Sequence, residues 1–161
     1  MSKRASLPYE DSSSGDKALT DLQRALEKFG CQSFGTMTDA ERGCTIVAFK
    51  WRNRNISLEA SWKGYAQAWL KRHPFTYRTS GSKQEHEQKA LKQAQMSVCS
   101  VLRDWVKGQV TAVECGVMSF EAAFMSHMLL PNGQRVLDRI KADNLLPAPE
   151  EKVVDIGSAQ Q

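Results

Sequence analysis

Residues 49–78, a short central stretch of the chain, contain seven basic and seven aromatic residues. Residues 50–78 carry seven Lys or Arg side chains against one Glu, a balance of +6, whereas the whole protein carries +4. Cations displace the counterions of a nucleic-acid backbone, and aromatic rings stack on unpaired bases. This pattern predicts a binding surface for single-stranded nucleic acid. An alternative stays open, in which the rings belong to the core and the cations form a solvated face.

The nucleic-acid hypothesis places the cations at the tip of a predicted β-hairpin and along the segment that follows it. Together with three rings that would stack on bases, for about 1–3 kcal/mol each, they are expected to form one continuous, water-facing surface. The candidate binding residues are Lys50, Arg52, Arg54, Lys63, Trp69, Lys71, Arg72, Phe75, Tyr77 and Arg78.

The cysteines and histidines lack the spacing of a metal centre. Zinc sites use close pairs of ligands, such as two cysteines separated by two residues. Here Cys31 and Cys44 are thirteen positions apart, Cys99 and Cys115 are sixteen apart, and the three histidines are scattered. We therefore predict no metal and no cofactor. The four thiols are expected to be reduced, because no close pairing and no secretory signal accompany them.

The sequence contains no arrangement that is typical of an enzyme. The stretch 81–83 lacks the upstream glycine and the following Ser or Thr of a phosphate-binding loop. The carboxylates of Asp39, Glu41 and Glu59 make a poor cluster for a metal-dependent nuclease, because no lysine follows Glu59 by two positions. No Cys–His pair is favoured as a nucleophile either. The sequence therefore predicts a non-catalytic protein.

The front half of the chain predicts one helix and three strands, over residues 17–62. A Ser-rich flexible arm at 1–16 comes first, and then apolar residues recur at three- and four-residue steps up to Gly30. A glycine at that place is typical of a left-handed helix C-cap. Apolar and polar residues then alternate, as in half-buried strands. The predicted strands are 33–38, 44–52 and 55–62.

The following part is predicted to be a loop and then a long helix. Residues 63–81 form a basic aromatic loop, with one short helical turn at 65–70. Ser82 and Glu85 have the spacing of a capping box, which opens a helix over 83–115. At 1.5 Å per residue this helix is about 50 Å long, too long for three strands to cover. Part of it is expected to pack on the C-terminal segment, on a second copy of the chain, or on both.

Shorter helices are predicted at 120–129 and 134–143, so that residues 82–145 form a helical part. An acidic flexible tail is expected at 146–161. The predicted fold class is α+β, a single domain over 17–145. The order of one helix, three strands and one helix is also that of a double-stranded RNA-binding domain. The loop before the second helix and that helix itself are too long for such a domain.

A second hypothesis is a protein–protein interaction module. The long helix and an apolar face beside it would bind a second copy, or a host protein such as a defence or replication factor. Such a module needs no catalytic residues. The candidate partner-binding residues are Trp105, Phe120, Phe124 and Met128.

Several segments resemble a family of small proteins found in tailed phages and prophages. The matching segments are LEKFGCQSFG (26–35), CTIVAFKWR (44–52), NISLE (55–59), VECGVMSFEAAF (113–124) and LPNGQ (130–134). Members of the family usually carry a longer Arg- and Trp-rich helix start than this chain has at 84–95. The resemblance implies a phage protein in the bacterial host cytoplasm, and it brings no residue roles with it. With the basic stretch, it suggests a nucleic-acid-binding accessory protein of replication or recombination. No apolar run reaches the roughly 18 residues of a membrane span, so no membrane partner is expected.

Overall fold

A computed structural model describes residues 6–149, which adopt the predicted α+β order. Residues 1–5 of the predicted arm and 150–161 of the predicted tail lie outside the described part. Within residues 6–149, no helix has both the length and the apolar character needed to cross a membrane. The elements are α1 (Gly15–Phe29), β1 (Ser33–Asp39), β2 (Cys44–Trp51), β3 (Arg54–Ser61), α2 (Lys63–Arg72), α3 (Lys83–Glu114), α4 (Phe120–Phe124), a 3-10 turn (Met125–His127) and α5 (Val136–Ala142).

The sheet is an antiparallel meander in the order β1-β2-β3, and each strand lies within one residue of its predicted bounds. Thr45, Val47 and Phe49 of β2 are buried on the helix side, whereas Ala48 between them is exposed. This is the alternation that the sequence predicts. A two-residue turn joins β2 to β3, with Arg52 at φ 44° and the following Asn at φ 63°. Two positive φ angles are typical of a type I′ hairpin turn.

The main core lies between the sheet and the helices α1 and α3. Leu22 and Leu26 of α1, and Val106 of α3, are fully buried there against Val47 and its neighbours. Burying an aliphatic side chain of this size stabilises a fold by about 1.5–3 kcal/mol. Gly30 ends α1 in the predicted left-handed conformation, at φ 97°. The predicted capping box at the start of α3 is also present.

Helix α2 is the largest departure from the predicted elements. The segment predicted as a loop with one helical turn begins with a ten-residue helix. Its apolar side, including Ala66 and Trp69, forms a second core cluster with Ala90 and Ala94 of α3. The N-terminal half of α3 is therefore covered by α2, and its C-terminal half by α1 and α4. The predicted packing of α3 on the C-terminal segment is confirmed through α4, whereas its larger contacts with α1 and α2 were not predicted from the sequence.

Residues 6–14 belong to the predicted flexible arm, and they lie against α2 and α3. The hydroxyl of Tyr65 donates a hydrogen bond to the carbonyl of Pro8 (2.6 Å), and Ser97 Oγ donates one to the carbonyl of Tyr9 (2.8 Å). Gln93 Nε2 donates a hydrogen bond to the carbonyl of Ser12 (3.0 Å). These contacts tie the described part of the arm to the two helices that form the candidate site.

The C-terminal segment covers one edge of the sheet. Its first helix ends at Phe124 rather than near residue 129, because the chain then turns to pair with β3. Met128 forms an antiparallel bridge with Ile56, and the Leu129 amide donates to the Asn55 carbonyl (2.8 Å). The outer edge of β3 is thus partly occupied.

Candidate nucleic-acid interface

The predicted cations fall into two groups at opposite ends of α3. The hairpin tip lies at its C-terminal end, where the rings of Trp51 and Phe120 stack with centroids 4.1 Å apart. The α2–α3 loop lies at its N-terminal end, where His86 is 5.3 Å from Trp69. The 32 residues of α3 span about 48 Å at 1.5 Å per residue. The predicted continuous surface is therefore wrong.

The cations of the hairpin tip have local partners. The guanidinium of Arg52 lies 4.5 Å from the centroid of the Trp51 ring. Arg54 forms an ion pair with Glu121, which holds the pKa of that carboxyl below its usual value. Lys50 is half-buried. Because these groups are engaged or shielded, the tip is the weaker of the two cationic groups for binding phosphates.

The cations at the other end are more numerous and exposed. Residues 63–92 contain seven Lys or Arg and two Glu, a balance of +5. All seven cationic side chains are exposed, and none forms a salt bridge with another residue in the part of the chain that the structure describes. The seven are Lys63, Lys71, Arg72, Arg78, Lys83, Lys89 and Lys92.

Two of the three predicted stacking rings are accessible. Tyr77 is 89% exposed and Phe75 is 42% exposed. The Arg78 guanidinium lies 5.3 Å from the Tyr77 ring centroid, so cation and ring form one unit. Trp69 is only 7% exposed, since it is part of the core between α2 and α3 and is flanked by His73 at 4.3 Å. Its predicted role as a base-stacking ring is wrong.

Two neighbouring depressions lie along the N-terminal turns of α3 and share two lining residues, and together we call them the groove. The first, of about 550 Å³, lies beside Trp62, and the second, of about 430 Å³, lies beneath the α2–α3 loop. Glu85 and Lys89 line both. The other lining residues are Trp62, Gln88, Leu91, Lys92 and Gln95 in the first depression, and Trp69, His73, Arg78, Thr79, Ser80 and His86 in the second.

The loop above the second depression is held by side chains from three elements. His73 at the end of α2 pairs with Glu10 of the N-terminal segment. His86 Nε2 donates a hydrogen bond to the His73 carbonyl (2.6 Å). The hydrogen bond from His73 keeps the pKa of the Glu10 carboxyl below its usual 4.5. Thr76 and Thr79 close a turn at the loop's tip, with the Thr76 amide donating to Thr79 Oγ1 (2.9 Å).

Three exposed cations of α3, two of which line the groove, are absent from the candidate binding residues predicted from the sequence. They lie on α3, after the predicted basic aromatic loop at 63–81, and are Lys83, Lys89 and Lys92. The signal that could have found two of them is helical spacing. Steps of three or four positions connect residues 85, 88, 89, 92 and 95, so these residues share one face of the helix.

The predicted partner-binding residues form part of the core. Phe120 and Phe124 are 3% and 0% exposed, and Trp105 packs edge-on against Phe124 at 5.8 Å. Met128 is half-buried and pairs with β3. They do not form an exposed apolar face, because the C-terminal segment folds back on α3 and the sheet.

Among residues 6–149, no group of three or more His, Cys, Asp or Glu side chains is placed to hold a metal ion. Comparison of the chain with protein-family models, with curated proteins and with solved structures finds no match. The candidate site therefore rests on its own geometry and charge.

Proposed function

We propose that this protein binds single-stranded nucleic acid in the groove along the N-terminal turns of α3, and that it catalyses no reaction. One observation carries the proposal: three exposed cations, Arg78, Lys89 and Lys92, line the groove, and two exposed rings lie beside its lining residues. The cations are available to the phosphates, and Tyr77 and Phe75 are available to the bases.

The groove has the dimensions of a short stretch of single strand. From Glu85 to Gln95 it follows α3 for about 15 Å at 1.5 Å per residue. The second depression extends it under the loop toward Arg78. Because stacking tolerates every base, such a site has little sequence preference and a strong salt dependence.

The resemblance to small phage proteins supports a role as an accessory protein of phage replication or recombination, in the bacterial cytoplasm. Sequestering or presenting a single strand requires neither a metal nor a nucleophile. This agrees with the lack of enzyme motifs in the sequence.

The decisive experiment is a titration of fluorescently labelled 15-nucleotide dT, rU and duplex DNA at several salt concentrations. Three cations, Arg78, Lys89 and Lys92, line the groove and can contact phosphates there. With about −0.7 per phosphate, log K for a single strand is expected to fall against log salt with a slope of about −2.1.

A matched pair of double variants separates a local site from general charge. Arg78→Gln with Lys89→Gln removes two groove cations and is expected to reduce the slope by about 1.4 and the affinity about tenfold at 0.15 M salt. Lys28→Gln with Lys107→Gln removes two exposed cations at the far end of α1 and α3. It is expected to leave the slope unchanged.

A third variant tests the stacking role of Tyr77. Tyr77→Ala is expected to weaken binding by about 1–3 kcal/mol, or about 5- to 160-fold, with an unchanged salt slope. Equal losses of affinity in the two double variants would show that only net charge matters. Tighter binding of duplex DNA than of single strands would contradict the proposed ligand. Either result refutes the groove as the site.

The second hypothesis, a protein–protein module, loses the apolar face that supported it, because Phe120 and Phe124 are buried. A different feature, the outer edge of strand β1, favours self-association. This edge does not contribute to the nucleic-acid groove.

A further inference from the structure

The two edges of the sheet differ. The C-terminal segment pairs with the outer edge of β3 at Ile56 and Asn55. Strand β1 pairs with β2 along all seven of its residues, and within residues 6–149 no other strand pairs with it. The outward backbone N–H and C=O groups of β1 are therefore available to another strand.

Strand β1 carries none of the features that usually protect a free edge. Such edges are blunted by Lys or Pro residues, by bulges, or by very short strands. The sequence SFGTMTD has no Lys, Arg or Pro, and its pairing with β2 runs without interruption. The apolar side chain of Met37 is 54% exposed. Asp39, at the very end, is the one ionisable side chain in the strand.

The strand is complementary to itself about its central residue. If a two-fold axis passes beside Thr36, two antiparallel copies place residue 36 opposite 36, 35 opposite 37, 34 opposite 38 and 33 opposite 39. Met37 then lies across from Gly35 of the other copy, where a side chain would meet no neighbour within 4 Å. The two Thr36 residues lie side by side, a pairing that stabilises antiparallel sheets.

The charges agree with the same register. Asp39 lies opposite Ser33, so no like charges face each other. The two Asp39 residues are six positions apart along the strand direction, or about 20 Å at 3.3 Å per residue. The two nucleic-acid grooves would point to opposite ends of the pair, because each groove lies at the Asp39 end of its own sheet.

We propose that β1 pairs antiparallel with β1 of a second copy of this chain, about a two-fold axis at Thr36, to form a continuous six-stranded sheet. This dimer does not depend on the proposed nucleic-acid binding. It uses a surface that sequence analysis did not consider, in place of the long helix.

Two cysteine variants test the register directly, in a background with the exposed Cys115 changed to Ser. Directly opposite residues of antiparallel strands have Cα atoms about 4.5–5.5 Å apart, within disulfide range. Thr36→Cys is therefore expected to form an intermolecular disulfide on mild oxidation. Residue 38 is also exposed and lies in the same strand, but its two copies are four positions, or about 13 Å, apart, so Thr38→Cys is the control. It is expected to remain unlinked.

Light scattering of the unmodified chain tests the association itself. The expected mass at about 200 μM is twice 18.0 kDa, and it falls to the monomer mass on dilution. Thr36→Lys places two ammonium groups opposite each other and is expected to abolish the dimer while circular dichroism stays unchanged. Gln67→Lys, an exposed change of equal charge on α2, is expected to leave the dimer intact. A monomer at high concentration, a Thr38→Cys cross-link as efficient as that of Thr36→Cys, or a dimer that survives Thr36→Lys would overturn the proposal.

Discussion

The buried hydrogen bond between Trp62 and Thr45 offers a sharp test of how the groove is supported. Trp62 Nε1 donates to Thr45 Oγ1 at 2.9 Å, and both side chains are buried. Thr45 lies on β2, and Trp62 lies immediately before α2, where it lines the groove. The bond therefore joins the sheet to the helix that forms one side of the site.

We expect Thr45→Val to lower the free energy of unfolding by about 1–3 kcal/mol, since it leaves the indole N–H buried without an acceptor. Valine has nearly the shape of threonine and suits a strand, so neither a cavity nor a strand-propensity change contributes. The other contact of the hydroxyl, with Cys99 Sγ at 3.9 Å, is long and weak.

Urea unfolding measures this loss. With m between about 1 and 3 kcal/mol/M, a 2 kcal/mol loss shifts the midpoint by about 1 M. Trp62→Phe and the double variant complete a cycle, in which a coupling of about 0.5–1.5 kcal/mol is expected for the bond. The control, Thr38→Val at an exposed position of the edge strand β1, is expected to stay within 0.5 kcal/mol of the unmodified protein. A Thr45→Val variant with the same urea midpoint as the Thr38→Val control would show that the buried hydrogen bond does not stabilise the fold.

Three further predictions follow from single residues. Gly30→Ala is expected to cost about 1–2 kcal/mol, because the φ of Gly30 is 97°. Gly108→Ala, at an equally open position inside α3, is expected to gain about 1 kcal/mol. The pKa of Glu10 is lowered by His73, so their contact stabilises the fold above pH 4.5 and is lost as pH falls through the lowered pKa. The acid-unfolding curve of Glu10→Gln should therefore be flatter in that range. Of the four cysteines, the exposed Cys115 should react with Ellman's reagent first, and Cys115→Ser should remove the fast phase.

Each of these predictions has a result that would contradict it. If both Gly30→Ala and Gly108→Ala lower the free energy of unfolding, backbone conformation does not decide whether the substitution stabilises the fold. A Glu10→Gln curve that follows the unmodified protein at every pH would show that the ion pair contributes nothing. A fast thiol that persists in Cys115→Ser would mean that the half-buried Cys31 or one of the buried cysteines, Cys44 and Cys99, is accessible.

Local patterns in the sequence determine most of the elements. Alternation over 44–52 and 55–62 predicts β2 and β3 to within one residue, because one face of each strand is buried and a shift by one residue would expose it. Gly30 predicts the end of α1, and Ser82 with Glu85 predicts the start of α3. These signals depend on neighbours in the chain, so no tertiary contact is needed to interpret them.

The tertiary structure alone decides which rings face water and which cations lie together. Nothing local distinguishes Trp69 from Tyr77, but only Trp69 faces the small side chains of Ala90 and Ala94 across a helix interface. Arg54 and Lys63 are close in sequence, yet β3 extends about 26 Å between them at 3.3 Å per residue. Lys89 is distant in sequence and joins the groove because α3 packs beside α2. The sequence determined that the chain carries many cations and aromatic rings, and the packing of helices and strands decided which of them share one surface.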